Sequence, residues 1–313
     1  MVEDKPSILV IGSVNMDLAV RSPHMPAPGE TVLGAGLVIS PGGKGANQAV
    51  AAARLGGQCV FVGRVGQDAF GQQLVAGLKA EGVDCSHVLV TDDAPTGVAM
   101  IVVDGKGENA IVVAGGANQY LAPDDIFPCE ELFAAASVVL LQLELPIPTV
   151  RAAIDLARRH RCKVILDPAP AQRCLDEALL RVDVICPNGL EAETITGQGQ
   201  PAEERAAKTL ASDLIARGAK AAVVKLGARG SVAVTADGHF YTIPPYKVSV
   251  VDTTAAGDAF AGALAVALAR GEHIRQAARF ANAAGALACT KFGATAAMPT
   301  TAEVAALMRD QPA

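Results

Sequence analysis

The chain has no tryptophan, and aromatic residues fill 4% of its 313 positions. With 51% apolar residues, its core must be built from Ala, Val, Leu and Ile packed against Gly-rich turns, a composition expected of an α/β protein. No uninterrupted apolar run reaches the ~18 residues of a membrane-spanning helix. The opening residues Met1-Val2-Glu3-Asp4-Lys5 carry acids where a secretion signal carries a basic start. Both absences point to a cytoplasmic location. The seven cysteines form no C-x-x-C pair and are widely spaced, which excludes a disulfide framework or zinc site and leaves most of them as small core hydrophobes. None of the five histidines stands four residues from another, so a helical metal pair is also absent. Lys and Arg (26) are outnumbered by Asp and Glu (32), giving a net charge of −6, and form no basic stripe. Nucleic acid and anionic membrane are therefore excluded as main partners, and a small molecule is expected.

Short β-branched runs alternate with Ala-rich helical stretches. Strands are expected at 8–14, 60–62, 138–143, 163–166, 184–186, 222–226 and 231–234, and helices at 47–55 and 70–81. Such alternation predicts βαβ units around a mostly parallel sheet, and near-continuous apolar strands predict burial on both faces. Two segments depart from it. Residues 18–40 contain Pro23, Pro26 and Pro28, and residues 96–117 read as two β-rich runs around Asp104-Gly105-Lys106-Gly107-Glu108, a hairpin signal. The expectation is a single domain over residues 1–313, in which these segments form a small β-sheet lid above the site.

The strongest chemical signal is Val251-Asp252-Thr253-Thr254-Ala255-Ala256-Gly257-Asp258, ahead of an Ala-rich helix. Small residues at a helix start let backbone N–H groups approach an anion, and the helix dipole adds attraction. Asp258 would then accept a hydroxyl proton beside an anion hole; alternatively, it caps the helix. A helix N-terminus lowers carboxylate basicity, so Asp258 is expected to orient the hydroxyl and take the proton late.

Pro41-Gly42-Gly43-Lys44-Gly45-Ala46-Asn47-Gln48 precedes the next expected helix but is not a Walker loop, because Gly45 stands where Ser or Thr is needed and Val38 where the first Gly is needed. It is either a Gly-rich turn or a place where backbone approaches a polar ligand, with Asn47 able to bond a hydroxyl. Asn15 and Asp17 lie two apart just past the first strand, on one side of extended chain, where ligands of open α/β sheets bind, and Glu144 occupies a similar edge. Asn188 and Glu191, three apart after another strand, either hold the water shell of a nucleotide-bound Mg²⁺ or form a capping box.

In chain order these motifs resemble the ribokinase group of carbohydrate kinases, which are PfkB-like, over nearly the whole length. Gly43-Lys44-Gly45-Ala46-Asn47-Gln48-Ala49, Leu141-Gln142-Leu143-Glu144 and Asp167-Pro168-Ala169-Pro170-Ala171 are similar to enzymes acting on ribose rather than on adenosine, fructose or ketodeoxygluconate. The resemblance implies a ribokinase-like αβα sandwich and ATP-dependent phosphorylation of the ribose 5-hydroxyl. A related sugar or nucleoside, such as deoxyribose, is the alternative substrate. Asp258 would be the base, with Ala255, Ala256 and Gly257 as the anion hole. Sugar contacts would come from Asn15, Met16, Asp17, Gly43, Lys44, Gly45, Ala46, Asn47 and Glu144. Nucleotide contacts would fall on Asn188, Glu191, Lys225-Leu226-Gly227-Ala228-Arg229-Gly230, Gly257, Asp258 and Asn282, with Lys225 standing where related enzymes often have Thr. A K⁺ site is implied at Asp252, Thr254, Ala288, Lys291, Gly293 and Ala297, where Ala297 replaces a hydroxyl ligand and weakens the expected cation dependence. Homodimerisation through the lid is implied as well.

Overall fold

The computed structural model describes residues 6–173, 175–198 and 204–312. The N-terminal residues 1–5 and Cys174, both interpreted above, lie outside the described residues. In chain order the strands begin with β1 (Ser7–Ile11), β2 (Asn15–Arg21), β3 (Ala35–Gly42), β4 (Gln58–Gly66) and β5 (Asp84–Thr91). They continue with β6 (Gly97–Val103), β7 (Asn109–Ala114), β8 (Val138–Leu141), β9 (Lys163–Leu166) and β10 (Val184–Ile185). β11 (Ala221–Lys225), β12 (Ser231–Thr235) and β13 (Phe240–Ile243) complete the set.

Nine of these strands form one sheet in the order β13-β12-β11-β10-β9-β8-β1-β4-β5. It is parallel from β11 through β5, and only β12 and β13 run antiparallel. Alternate side chains of each central strand enter different cores. Ile8 and Val10 pack with residues of the helices Lys44–Arg54, Ala256–Ala269 and Ile274–Ala288. Leu9 and Ile11 pack on the other face with the helices Ile147–Arg159 and Glu204–Ala216. All four are at most 1% exposed, and each stabilises the fold by about 1.5–3 kcal/mol through burial. This is the αβα layering expected for strands apolar on both faces.

The sequence reading passed over β5 and β13 and shortened β4. β5 is an edge strand in which Asp84, Ser86 and Val90 are exposed, so its apolar signal is diluted. β1 ends at Ile11, three residues before the expected end at residue 14.

The second sheet has the order β3-β2-β6-β7 and begins at Asn15. Asn15 is flanked by Gly42 of antiparallel β3 and Gly97 of parallel β6. The small sheet is therefore anchored at the carboxyl end of β1, where ligands of open α/β sheets bind. β7 is exposed along its whole length, and Leu37, Val38, Met100, Ile111 and Val112 leave apolar side chains uncovered.

Candidate active site

The helix Ala256–Ala269 is preceded by Ala255, which adopts φ 57 in the left-handed region. A non-glycine residue held there costs roughly 1–2 kcal/mol, and such strain collects at functional loops. The turn aims the first helical amides, including those of Gly257 and Asp258, out of the helix end. These N–H groups have no intrahelical partner and carry the positive end of the dipole. A Cβ on Gly257 would stand 3.5 Å from Lys225 Nζ, so the glycine keeps the space between the amides and that ammonium open.

Asp258 is 5% exposed and does not cap the helix. Asn47 Nδ2 donates to its Oδ2 at 3.0 Å, and Gln48 Nε2 donates to its Oδ1 at 3.1 Å. Thr295 Oγ1 donates to Asn47 Oδ1 at 3.0 Å, which fixes that amide. Gln48 Nε2 also donates to Asp167 Oδ2 at 2.9 Å, and its Oε1 accepts from Gln142 Nε2 at 2.6 Å. Asp167, 2% exposed, pairs through Oδ1 with Lys225 Nζ at 2.8 Å. Burial pushes the Asp258 carboxyl up to about 6, with the negative charge of Asp167 adding to it and Lys44, Asn47 and Gln48 opposing. The expected lowering by the helix N-terminus is thus outweighed, because desolvation of a carboxylate destabilises its charged form. Asp258 is a more capable proton acceptor than the sequence suggested.

The side expected to face the sugar is carried largely by β2. The Asp17 carboxylate lies across Gly42, where a Cβ would come within 2.2 Å of its oxygen. Burial, then the charges of Glu144 and Asp258, raise the Asp17 carboxyl to about 7. Asn118 Nδ2 donates to Asn15 Oδ1 at 2.8 Å, and Gly97 leaves room for that pair, since a Cβ would approach Asn15 Oδ1 to 2.2 Å. Glu144 Oε2 accepts from Ser13 Oγ, and from the Lys44 amide at 3.1 Å. Gly43, at φ 90, passes so close to β2 that a Cβ would lie 2.7 Å from the Asn15 amide nitrogen. Lys44 is held charged: burial lowers its pKa, but Asp258, Asp167 and Glu144 outweigh that and raise it.

Two expected sugar contacts belong elsewhere. Met16 points to the opposite side of β2 and is fully buried in the core, and Ala46 is buried there too. Alternation along the strand makes this unavoidable once Asn15 and Asp17 face the site. Gly45 packs its backbone closely against the Gly12 backbone, where a Cβ would come within 2.6 Å.

Beyond Asp258 opens a cleft of about 700 Å³, lined among others by Lys44, Asn188, Lys225, Gly227, Ala228, Gly230, Gly257 and Asn282. That volume suits a mid-sized organic ligand. Asn188 and Glu191 form a reciprocal capping box, with N···O distances of 2.7 and 2.8 Å, at the start of the helix Gly189–Thr196. Glu191 also lines the cleft, and burial raises its carboxyl. Of the two sequence alternatives, the capping box is formed. Lys225 reaches into the cleft beside Asp167. Leu226 packs against the core, and Arg229 sits in a short 3-10 turn, exposed. Asn282 Nδ2 donates to the carbonyls of Ile243 and Pro244 at 3.3 and 3.1 Å, tying the cleft wall to β13.

Several of the residues implied for a monovalent cation are joined by their own hydrogen bonds. Asp252 Oδ1 accepts from the Thr254 amide at 2.9 Å and its hydroxyl at 2.6 Å, and Oδ2 accepts from the Gly293 amide at 3.0 Å. The Val251 amide donates to Cys289 O at 2.8 Å, while Lys291 Nζ turns away to Glu303 at 2.7 Å. Ala297 is fully buried and offers no side-chain oxygen. Among the described residues no group of three or more His, Cys, Asp and Glu side chains gathers as a metal centre.

Sequence reasoning left Gln48, Asp167, Ser13, Asn118 and Thr295 without roles. Asp167 follows β9 directly, and that sheet-edge position was the signal available. The others act across separations such as 103 and 248 residues, which no local pattern carries.

A buried acceptor carboxylate, a helix N-terminus between two lysines and an adjoining nucleotide-sized cleft define a small-molecule kinase. The chain belongs to the pfkB family of carbohydrate kinases, whose model matches residues 5–301. It is 40% identical to a ribokinase of Haemophilus influenzae over 96% of this chain and 97% of that protein. It is 34% identical to a deoxyribokinase of Salmonella typhi over 94% of this chain and 95% of that protein. The solved Arabidopsis thaliana ribokinase, complexed with ribose and ATP, superposes with a TM-score of 0.90 at 32% identity, covering 97% of this chain and 99% of that one.

Proposed function

We propose that this chain transfers the γ-phosphoryl group of ATP to the 5-hydroxyl of D-ribose, giving ribose 5-phosphate and ADP. The observation that carries the reading is Asp258, buried and held by two amide donors at the mouth of an open helix N-terminus. Asp17 and Asn15, with Glu144 and the Gly43 backbone, hold the sugar hydroxyls. Asp258 orients the 5-hydroxyl and accepts its proton. Charge on the transferring phosphoryl group is met by the Gly257 and Asp258 amides, Lys44 and Lys225. Asn188, the 227–230 turn and Asn282 form the nucleotide wall of the cleft.

Mg²⁺ fits as an ion carried by the nucleotide rather than held by a protein cage, and Glu191, which lines the cleft, is the carboxylate that would hold its water shell. When bound it would screen the phosphate charges. A K⁺ site fits only in part, because the loops it would bridge are already joined by their own hydrogen bonds and Ala297 supplies no ligand. Activation by K⁺ is therefore weak, and a K⁺ titration of the initial rate with and without Ala297→Ser tests this; equally steep activation in both would remove Ala297 from the account. Leu37, Ile39, Met100 and Val112, exposed apolar residues on one face of the small sheet, support a homodimer through the small sheets. Val112→Asp should convert it to a monomer in sedimentation analysis.

A substrate panel with purified protein and Mg-ATP tests the sugar, and consumption of another pentose or a nucleoside in preference to D-ribose would overturn the assignment. For the acceptor, Asp258→Asn should keep sugar binding while turnover falls about 10²–10⁴-fold. Turnover near wild type would remove Asp258 from its role.

A further inference from the structure

Gln48 stands between two buried carboxylates. Its single amide nitrogen donates to Asp258 and to Asp167, and its oxygen accepts from Gln142. All three side chains it touches are at most 5% exposed. Only this amide orientation puts N–H groups on both anions; turned over, Oε1 would face two carboxylates and Nε2 would face the Gln142 donor. Two carboxylates this close otherwise tend to share a proton, which would take one of them out of use as a base.

We propose that Gln48 is a positioning residue for phosphoryl transfer, whose Gln142-anchored amide bridges Asp258 to Asp167 and holds both carboxylates ionised, leaving the remaining lone pairs of Asp258 for the sugar hydroxyl. Lys225 completes the relay by holding Asp167 as an anion. The relay joins the carboxyl ends of β8, β9 and β11 to the starts of two helices, so the acceptor is aligned by the large sheet itself. The groups that face Asp258 are Lys44 from the Gln48 helix, Asp167 after β9, Asp17 in β2 and Cys186 after β10. Of these, Asp167 alone shares a hydrogen-bond donor with it. The inference rests on Asp258 being the proton acceptor.

The test is the pH profile of kcat at saturating sugar and ATP for wild type, Gln48→Leu, Asp167→Asn and Asp258→Asn. Gln48→Leu removes a donor from Asp258, so the acid limb should move up by about one pH unit, which by itself lowers kcat at pH 7 about twofold; loss of the acceptor's alignment should bring the whole fall to about tenfold or more, with the sugar KM changed less than about twofold. Asp167→Asn removes a neighbouring negative charge, so its acid limb should move down. Opposite displacements are a signature that loss of packing cannot produce. Should Gln48→Leu fail to fold, Gln142→Leu keeps the donor but frees its orientation and should move the limb upward by less. An unmoved limb in the Gln48 or Gln142 variant, or displacement of both carboxylate-neighbour variants in one direction, overturns the relay. If Asp258→Asn turns over like wild type, the acceptor assignment itself fails; if it is inactive while the Gln48→Leu limb stays in place, the relay alone fails.

Discussion

Lowering the pH from 8 to 5 should extinguish the enzyme in two steps. Asp17 and Asp258 are both raised, to about 7 and about 6, chiefly by burial, so each loses its charge at a higher pH than an ordinary carboxyl. In the proposed mechanism Asp17 binds the sugar hydroxyls as an all-acceptor carboxylate, and Asp258 accepts a proton only when ionised. With those two values, about nine-tenths of the molecules carry both charges at pH 8 and about one in a thousand at pH 5. The assay is kcat/KM for the sugar across that range, at constant ionic strength and saturating ATP. It should fall about a thousandfold in all, with the slope of its logarithm steepening from one towards two below pH 6. In Asp17→Asn, which keeps the side-chain shape, the remaining fall should be about tenfold and of slope one. A wild-type profile that is flat to pH 5.5, or that keeps a slope of one throughout, would refute the claim that both carboxylates titrate in the working range.

The same substitution should change stability with a definite sign. The folded-state value of Asp17 lies above the ordinary carboxyl value of 3.8, so its burial penalty is absent below about pH 3.8 and grows until about pH 7. Asp17→Asn should match wild type in urea unfolding near pH 4 and exceed it by about 2–4 kcal/mol at pH 8. Lys225→Met leaves Asp167 buried and unpaired and should cost about 3–5 kcal/mol, most of it recovered in Asp167→Asn/Lys225→Met; equal losses in single and double variants would count against the pair. Gly97→Ala drives a methyl group into Asn15 Oδ1 and Asn118 Nδ2, at 2.2 and 2.4 Å, and should raise the sugar KM about tenfold while leaving the ATP KM in place.

The layered fold was legible because its strands are apolar on both faces and are separated by Ala-rich helical stretches. Ile8 to Ile11 feed both cores, and that is why their run has no polar interruption. β5 escaped because an edge strand is free to alternate polar residues outward. Asp258 was visible from the small residues ahead of it, but its basicity was misjudged: local sequence shows the helix N-terminus and not the depth of burial that outweighs it. Asn15 and Asp17 were placed near the site on their spacing, whereas the fate of Met16 between them depends on which face of β2 meets the core. Gln48, Asn118 and Thr295 gain their roles only from partners far along the chain, a relation that periodicity and turn chemistry do not encode.

The small sheet begins at Asn15, while Asp258 and its amide partners stand on helices packed against the large one. On the proposed reading, the groups that recognise a substrate and the groups that react with it are thus inherited from different layers of the molecule. Substitutions along β2 and its neighbours can retune which hydroxyl compound is accepted while the acceptor and anion loop remain untouched. A scaffold divided in this way can acquire new substrates without having to reinvent its chemistry.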